Sequence, residues 1–354
     1  MWYMVFSCLD KEKGEATFMY VLGIESTCDE TACAVVKEGR LILSNVVASQ
    51  IDLHKEYGGV VPELACRRHI DLILPVLDQA LAQANLQPAD VGLIAAAKGP
   101  GLVGALLIGV STAKALALAL GKPFIGVNHV EAHLYAALMS QEAPVAFPCL
   151  GVVLSGGHTT LALIKGVGHY ETMGQTVDDA IGEAFDKAAK MLGLPYPGGP
   201  HIESKASTGD SSRYPFKAGQ VKGKPLHFSF SGLKTALLYA IQRNYPTLEM
   251  PEEERSHFAA SFQRAAFEDV VRKTLLAASQ QGVKTIIFGG GVTNSQTLRR
   301  FFAEESLGRY HLVWPSAGLS LDNAAMIAGL GYCLYQIRGA SDDMHLEPLG
   351  RISL

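Results

Sequence analysis

The sequence predicts an α/β protein built from two similar halves. In the first half, a short apolar strand over 21–24 enters a polar turn and returns as a second strand over 32–36. About 130 residues further on, a strand over 150–154, a serine-containing polar turn and a strand over 160–164 repeat this order. Because the same unit recurs once in each half, we expect duplicated lobes that each contain a β-sheet.

Size and composition exclude several classes of protein. The chain has 354 residues, of which 48% are hydrophobic, which suffices for two domains or one large one. Its net charge of −4 argues against a binder of nucleic acid that is basic as a whole, so such a partner would need a local basic patch or a second subunit. The six cysteines lack Cys-x-x-Cys spacing, which favours free thiols in a reducing compartment over disulfides or a thiolate zinc site.

No stretch is typical of a secretory signal or a membrane span, so we expect a cytoplasmic protein with no membrane partner. Residues 1–9 are apolar but too short for the core of a signal sequence. The most apolar stretch, 101–120, carries two hydroxyls and a lysine, which favours a buried helix. Residues 1–18 are predicted to be a non-native or mis-started extension, with Met19 as the expected true start.

Apolar spacing and glycine or proline breaks predict the remaining elements. The Gly-Pro-Gly sequence 99–101 should end a strand, and 195–200 should form a rigid loop of glycine and proline. The predicted helices cover 64–84, 102–120, 129–139, 178–192, 252–281, 295–305 and 323–336, and the further strands cover 91–97, 123–127 and 284–288.

Two glycine-containing segments are typical of a backbone that binds ligands. Exposed N–H groups in the polar turn 155–157 would form a concave site for an anion. Three glycines, 289–291, follow a strand and would let a flat ligand approach, while Asn294 offers an amide to a ribose or a base edge. A tight strand-to-helix turn without a ligand explains the second segment equally well, and the sequence leaves both interpretations open.

A pair of histidines predicts a metal site when it is read with its surroundings. His129 and His133 lie four residues apart in a predicted helix, so both imidazoles would project from one face and could share one ion. Neutral imidazole suits zinc, iron, copper or nickel, and such a pair taken alone is more often a half-buried coincidence. Asp322 precedes the last helix, where spacing favours an N-cap. As a third ligand it would instead leave metal positions open for a substrate oxygen.

Seven motifs occur in order along the chain: 25–31 (ESTCDET), 129–133 (HVEAH), 155–159 (SGGHT), 182–187 (GEAFDK), 196–200 (YPGGP), 228–234 (FSFSGLK) and 322–325 (DNAA). Together they resemble the TsaD (YgjD/Gcp) family, the bacterial tRNA N6-adenosine threonylcarbamoyltransferases. The resemblance implies the two-lobed actin-like ATPase, sugar-kinase and Hsp70 (ASKHA) fold, with duplicated RNase-H-like lobes around a nucleotide cleft. It also implies transfer of threonylcarbamoyl from threonylcarbamoyl-AMP to the N6 amine of the adenosine 3′ of the anticodon (position 37), in tRNAs that read codons beginning with A.

The resemblance further implies ligands, cofactors and partners. One Fe²⁺ or Zn²⁺ per subunit would be held by His129, His133 and Asp322. The adenylate would be held by Val153, Leu154, Ser155, Gly156, Gly157, Asp186, Gly199, Glu203 and Asn294. Besides tRNA and threonylcarbamoyl-AMP, the implied partners are a related non-catalytic subunit of the same fold (TsaB-like) and a small ATPase (TsaE-like).

Two departures from the family pattern concern fine positioning alone. The first turn is Glu-Ser-Thr where many relatives have Glu-Thr-Ser, and Ser-Leu precedes Asp322 where Cys-Thr is common. Neither departure removes a proposed ligand atom. The expected division is an N-terminal lobe over 19–148, onto which the C-terminal helix 323–345 packs back, and a C-terminal lobe over 149–322.

Several charged residues keep two interpretations each. Asp29 and Glu30 are the expected acceptors of the proton from the attacking amine, with solvated surface carboxylates as the alternative. Lys234 is either a phosphate or tRNA contact or an ordinary lysine at the start of an exposed helix. The lysine-rich cluster is either a tRNA patch or solvated loop charge; its members are Arg213, Lys217, Lys222 and Lys224.

Three other functions are less consistent with the motifs. A small-molecule kinase or ATPase of this fold would use Asp29 or Asp186 with magnesium, but magnesium prefers oxygen ligands to the histidine pair. A zinc protease of the His-Glu-x-x-His type needs glutamate directly after the first histidine, where Val130 stands. A non-catalytic scaffold of the same fold would be expected to lack the metal ligands.

Overall fold

The computed structural model describes residues 18–246 and 249–354, which form two compact units. The extension predicted over 1–18 therefore lies outside the described residues, except for Phe18. Unit 1 contains the described residues up to Gln50 together with Val60–Ala146 and Pro315–Leu354. Unit 2 contains Ile51–Gly59 and Phe147–Trp314.

Unit 1 is built on a five-stranded sheet in the order β3-β2-β1-β4-β5. The first three strands form an antiparallel meander, while β4 runs parallel to β1 and β5 runs parallel to β4. The strands are β1 (Tyr20–Glu25), β2 (Glu30–Lys37), β3 (Leu41–Ser49), β4 (Val91–Gly99) and β5 (Phe124–Asn128).

Helices cover both faces of this sheet because the side chains of its central strand alternate between them. Leu22 and Ile24 of β1 belong to a core cluster with apolar residues of α2 (Pro62–Ala84) and α3 (Val103–Leu120). On the opposite face Gly23 lies so close to α10 (Ala324–Arg338) that an added Cβ would be 2.3 Å from Ala324 O. The helix α4 (His129–Met139) packs against α10.

Unit 2 repeats this topology with a sheet in the order β10-β9-β6-β7-β8. Its first three strands are again an antiparallel meander, and β9 and β10 are added in parallel beside β6. The strands are β6 (Cys149–Leu154), β7 (Thr159–Gly166), β8 (His169–Gln175), β9 (Thr285–Gly289) and β10 (His311–Val313). The two sheets share strand order and direction, which confirms the predicted duplication.

The core of unit 2 is rich in phenylalanine and is organised by one long buried helix, α8. Phe185 stacks on Phe267 of α8 at 5.3 Å and meets Phe262 of the same helix edge-on at 5.4 Å. The helices are α1 (Ile51–Lys55), α5 (Ile181–Met191), α6 (Gly198–Ala206), α7 (Ser231–Asn244), α8 (Glu252–Gln281) and α9 (Gln296–Ser306), and a 3-10 turn over Gly291–Asn294 precedes α9.

The rigid loop predicted over 195–200 is wrong in its second half. Residues 198–200 do not form a rigid loop but the first turn of α6, where proline is compatible because the first N–H groups of a helix have no partner within it. Gly198 is required there because an added Cβ would lie 2.6 Å from Ala189 Cβ of α5. Three strands, β3, β8 and β10, are not predicted from the sequence. All three lie at sheet edges, where one side faces solvent and the apolar pattern is weak.

The most apolar helix, which the sequence predicts to be buried, is buried along one face. Among the described residues, α3 is the one helix long and apolar enough to cross a membrane by length and composition, and 33% of that window is buried. One face packs against the sheet of unit 1. The other exposes large apolar side chains, with Leu107 48% and Leu118 69% exposed.

Candidate active site

The histidine pair lies at the start of α4, directly after β5. Asn128 ends the strand and caps the helix: its Oδ1 accepts hydrogen bonds from Val130 N at 2.9 Å and Glu131 N at 3.3 Å. This cap sets the first turn, so His129 and His133 stand one above the other on a single face. Their ring centroids are 4.6 Å apart and both side chains are buried.

Asp322 meets this pair from the other side. Its Oδ1 lies 3.2 Å from His133 Nε2 and 3.6 Å from His129 Nε2. The expectation that Asp322 caps the last helix is wrong, because the N-cap of α10 is Asn323, whose side chain accepts a hydrogen bond from Met326 N at 3.0 Å. The carboxylate one position earlier is therefore available to the histidines.

The group formed by His129, His133 and Asp322 fits a metal ion. One ligand atom from each residue lies within 4.8 Å of the others. Both ring nitrogens of His133 are buried, and neither makes a hydrogen bond of good geometry with a described residue, although Asp322 Oδ1 lies 3.2 Å from Nε2. A buried imidazole without a partner is costly, and coordination by one nitrogen would remove much of that cost. Two imidazoles and one carboxylate suit a transition metal with open positions.

Glu25 is a functional residue to which the sequence analysis gave no role. It ends β1 with no solvent exposure, and its Oε2 lies 2.9 Å from His129 Nδ1. A carboxylate at Nδ1 orients the ring and leaves Nε2 directed at Asp322, the usual support of a metal-ligating histidine. Burial opposes protonation of His129, but the negative charges of Glu25 and Asp322 outweigh it and raise the pKa of His129 to about 9. The sequence signal that could have identified Glu25 is a charged residue at the end of a buried central strand.

The two carboxylates of the first polar turn, Asp29 and Glu30, lie close to the negative charge of Asp322. Asp29 is buried, and Glu30 is half buried at the start of β2. Burial, followed by the negative charges of Asp322 and Asp29, raises the pKa of Glu30 to about 10. A carboxyl with this pKa carries a proton at neutral pH, so it becomes a base only when a nearby cation lowers its pKa.

In unit 2, the polar turn after β6 has two free amides. Ser155 N donates to His158 O at 2.8 Å, so this amide is not available to a ligand. No hydrogen bond from the N–H groups of Gly156 or Gly157 is found within the described part of the chain, and both residues are exposed. Val153 and Leu154 have no solvent exposure and support the turn from within β6.

Two close backbone approaches bring other elements against this turn. Gly182, in the first turn of α5, donates its N–H to Ser155 O at 3.2 Å, and an added Cβ would lie 2.8 Å from Gly156 Cα. Gly290 has φ +92°, and a Cβ there would lie 2.4 Å from Leu154 O. The N-terminus of α5 and the glycine segment after β9 thus both border the turn.

The remaining predicted adenylate residues lie on α6 and beside it. Asp186 Oδ1 accepts a hydrogen bond from Gly198 N at 2.6 Å, which joins α5 to the start of α6. Glu203 Oε1 accepts from Ser295 Oγ and Thr297 N, both at 2.8 Å, so this oxygen is engaged at the start of α9. Two other positions are accessible: Gly199 has open space where a side chain would project, and Asn294 is exposed.

Lys234 lies in the first turn of α7 and forms an ion pair. Its Nζ lies 2.7 Å from Asp179 Oδ2, and Lys187 binds the other oxygen of the same carboxylate at 2.7 Å. Burial opposes ionisation of Asp179, but hydrogen bonds from Lys187 and Lys234 lower its pKa. The charge of Lys234 is therefore balanced within unit 2.

Solved structures of other proteins share this fold. HypF of T. kodakarensis superimposes with a TM-score of 0.60 at 16% identity, over 91% of this chain and 48% of that one. Full-length HypF in a phosphate- and nucleotide-bound form gives 0.59 at 14% identity, over 90% of this chain and 55% of that one. The chain thus spans about half the length of these HypF chains and has the ASKHA fold.

Sequence comparison identifies the family. A protein of Protochlamydia amoebophila named tRNA N6-adenosine threonylcarbamoyltransferase is 68% identical over 95% of this chain and 98% of its own length. A protein of the same name from Symbiobacterium thermophilum is 48% identical over 94% and 96%. The TsaD family pattern, described as tRNA N6-adenosine threonylcarbamoyltransferase, matches residues 41–329. The chain therefore belongs to the TsaD family.

Proposed function

We propose that the chain transfers the threonylcarbamoyl group of threonylcarbamoyl-AMP to the N6 amine of the adenosine 3′ of the anticodon in tRNAs that read codons beginning with A. Threonylcarbamoyl transfer to tRNA follows from membership of the family. The observation that carries the chemical proposal is the meeting of His129, His133 and Asp322 within 4.8 Å.

The reaction is an acyl transfer that needs no ATP cleavage, because the donor is a mixed carbamic–phosphoric anhydride. The amine nitrogen attacks the carbamoyl carbon and forms a C–N bond, the bond from that carbon to the phosphate oxygen breaks, and AMP leaves. One amine proton must pass to a base. Catalysis therefore depends on positioning two large substrates and stabilising the charge that develops on oxygen.

The metal site would bind one Fe²⁺ or Zn²⁺. When bound, the ion would supply a Lewis acid that orients the threonylcarbamoyl group and polarises its carbonyl. The protein residues position this centre: Asn128 sets the first turn of α4, and Glu25 holds the His129 ring by its Nδ1. Asp29 and Glu30 are the candidate acceptors of the amine proton, and Glu30 would accept it once a bound cation has lowered its pKa, which burial and the charges of Asp322 and Asp29 raise.

The turn after β6 would hold the adenylate phosphate. The free amides of Gly156 and Gly157 are donors suited to phosphate oxygens, and the N-terminus of α5 beside them adds its positive end. Ser155 would shape the turn without donating its amide. Asp186, Glu203 through Oε2 and Asn294 would bind the ribose or base, and Gly199 would leave room for them.

We further propose a cytoplasmic protein that works with two partners. An apolar surface on α2 and α3 would dock the related non-catalytic subunit, because large apolar side chains are exposed on these two helices, which pack against each other. Its exposed members are Ile70 (62%), Leu74 (59%), Val103 (52%), Leu107 (48%) and Leu118 (69%). The small ATPase partner rests on the family resemblance alone.

Metal analysis together with a transfer assay tests this function. Protein loaded with Fe²⁺ or Zn²⁺ should transfer radiolabelled threonylcarbamoyl from threonylcarbamoyl-AMP to unmodified tRNA in the presence of the partners. His133→Ala should lose both the metal and the transfer while retaining its fold by circular dichroism. Full activity of chelator-treated, metal-free protein would contradict the mechanism, and phosphorylation of a sugar at a higher rate than transfer would favour a kinase.

A further inference from the structure

The stretch 211–248 of this acidic protein combines lysines and arginines with no acidic residue. Between Asp210 and Glu249 the 38 residues 211–248 contain six lysines and arginines and no aspartate or glutamate. Since the whole chain carries −4 and this stretch +6, the rest of the chain carries −10. Positive charge is therefore concentrated in one part of the sequence.

Part of this stretch borders a cavity in unit 2. The cavity has a volume of about 600 Å³ and is lined by the loop 220–225 and by α8. Lys222 and Lys224 on the loop are exposed, and neither forms an ion pair with any described residue. Arg272 and Lys273 line the other side, so four cationic side chains surround one space.

The side formed by α8 is held rigidly. Asp269 accepts Arg272 Nη2 and Lys273 Nζ, each at 2.6 Å, on its two oxygens. Lys273 has 2% side-chain exposure and lies 4.9 Å from the centre of the Phe228 ring. Asp269 is the acidic group that pairs with cations of the cavity. The four positive charges and this one negative charge give the cavity a net charge of +3.

The same positive charges act on His227, which comes just after the loop 220–225 in the sequence. Burial together with the charges of Lys224 and Lys273 lowers the pKa of His227. A histidine neutral at physiological pH adds no charge of its own but can still donate one hydrogen bond.

We infer that this cavity binds a backbone phosphate of the tRNA substrate. Lysines act as point charges that attract phosphate without reading base sequence, which suits a contact remote from the modified adenosine. A polymer is favoured over a free phosphate compound because the two unpaired lysines are exposed on a surface loop, where a continuous strand can pass. The inference rests on the proposed function, since it takes tRNA as the substrate.

The double variant Lys222→Gln/Lys224→Gln tests this site in the full-length protein. We expect tRNA affinity at 100 mM salt to fall about tenfold or more, with a matching rise in KM for tRNA. The slope of log Kd against log salt concentration should become shallower by about 0.7–0.9, the change expected for the loss of one phosphate contact. Arg272→Gln should show a smaller change in the same direction.

The matched control is Lys165→Gln/Lys284→Gln, which removes two exposed lysines of unit 2 that do not line the cavity. This control should retain the wild-type slope. Equal slopes for the two double variants would overturn the inference, since they would show that any loss comes from overall charge alone.

Titration with inorganic phosphate and with AMP separates the two sources of phosphate. Binding heat that disappears in the cavity variant while its tRNA slope stays at the wild-type value would show a site for free phosphate and would overturn the tRNA contact. If wild-type protein fails to transfer threonylcarbamoyl but the slope difference persists, the proposed function is wrong and the tRNA contact stands.

Discussion

Replacing Glu25 with glutamine tests the carboxylate that supports the metal site. Glu25 Oε2 lies 2.9 Å from His129 Nδ1, and its Oε1 accepts a hydrogen bond from Thr27 N at 2.6 Å. Glutamine has nearly the same shape and keeps an acceptor for Thr27, but it removes the negative charge. The change therefore isolates the electrostatic and orienting effect on His129.

Measured above pH 9, where no proton competes with the metal for His129, the expected effect is a loss of metal affinity by about 10- to 100-fold, because outer hydrogen-bond partners of metal ligands typically contribute that much. This corresponds to about 1.4–2.8 kcal/mol. Side-chain exposure is 5% for His129 and 0% for Glu25, so water cannot replace the lost contact, which favours the upper part of the range. The pKa of His129 should also fall below its value of about 9, since Glu25 is the first of the two charges that raise it.

Competition with a chelator of known affinity measures the metal dissociation constant, and thermal unfolding checks the fold. Glu38→Gln is the matched control: Glu38 lies in the same unit and accepts hydrogen bonds from Met19 N at 2.6 Å and Tyr332 Oη at 2.7 Å. The control should bind metal like the wild type. Wild-type metal affinity in a folded Glu25→Gln protein would refute the assigned role.

Three further changes probe the same structure. Asp322→Asn should release the metal without loss of thermal stability. Asn323→Ala should keep the metal and lower the free energy of unfolding by about 1–2 kcal/mol, because Asn323 is the helix cap. The reverse outcome would show that Asp322 is the cap. Since the pKa of His129 is about 9, a proton competes with the metal for this residue below that pH. Chelator competition should show metal affinity rising about tenfold per pH unit from pH 7 and levelling above pH 9. Metal affinity that does not change with pH would contradict this. The lowered pKa of Asp179 contributes stability that the wild type keeps above about pH 4 and loses as the pH falls towards that pKa. Urea unfolding should therefore show that Asp179→Asn has a lower free energy of unfolding than the wild type, with a difference that disappears on acidification. A difference that does not change with pH would contradict the assignment.

Much of the architecture was predictable because its signals are local. Buried strands such as β1 and β6 are continuous apolar runs, and the long helix α8 was predicted with its observed bounds, Glu252–Gln281. The strand, turn and strand order recurring in each half predicted the duplication that the two sheets confirm. Hydrophobic periodicity suffices where an element buries a whole face, whereas the edge strands β3, β8 and β10 bury too little of theirs to be recognised.

The assignment at the metal site needed the tertiary structure. Sequence spacing placed His129 and His133 on one face, but it favoured a capping role for Asp322 over a ligand role, and a shift of one residue separates the observed cap from the ligand. Glu25 contacts His129 across 104 positions of the chain, a distance at which no spacing rule applies. Local patterns specify which face an element buries. Only the packing of α10 on Gly23 and of α4 on α10 brings the start of one helix to the start of the other.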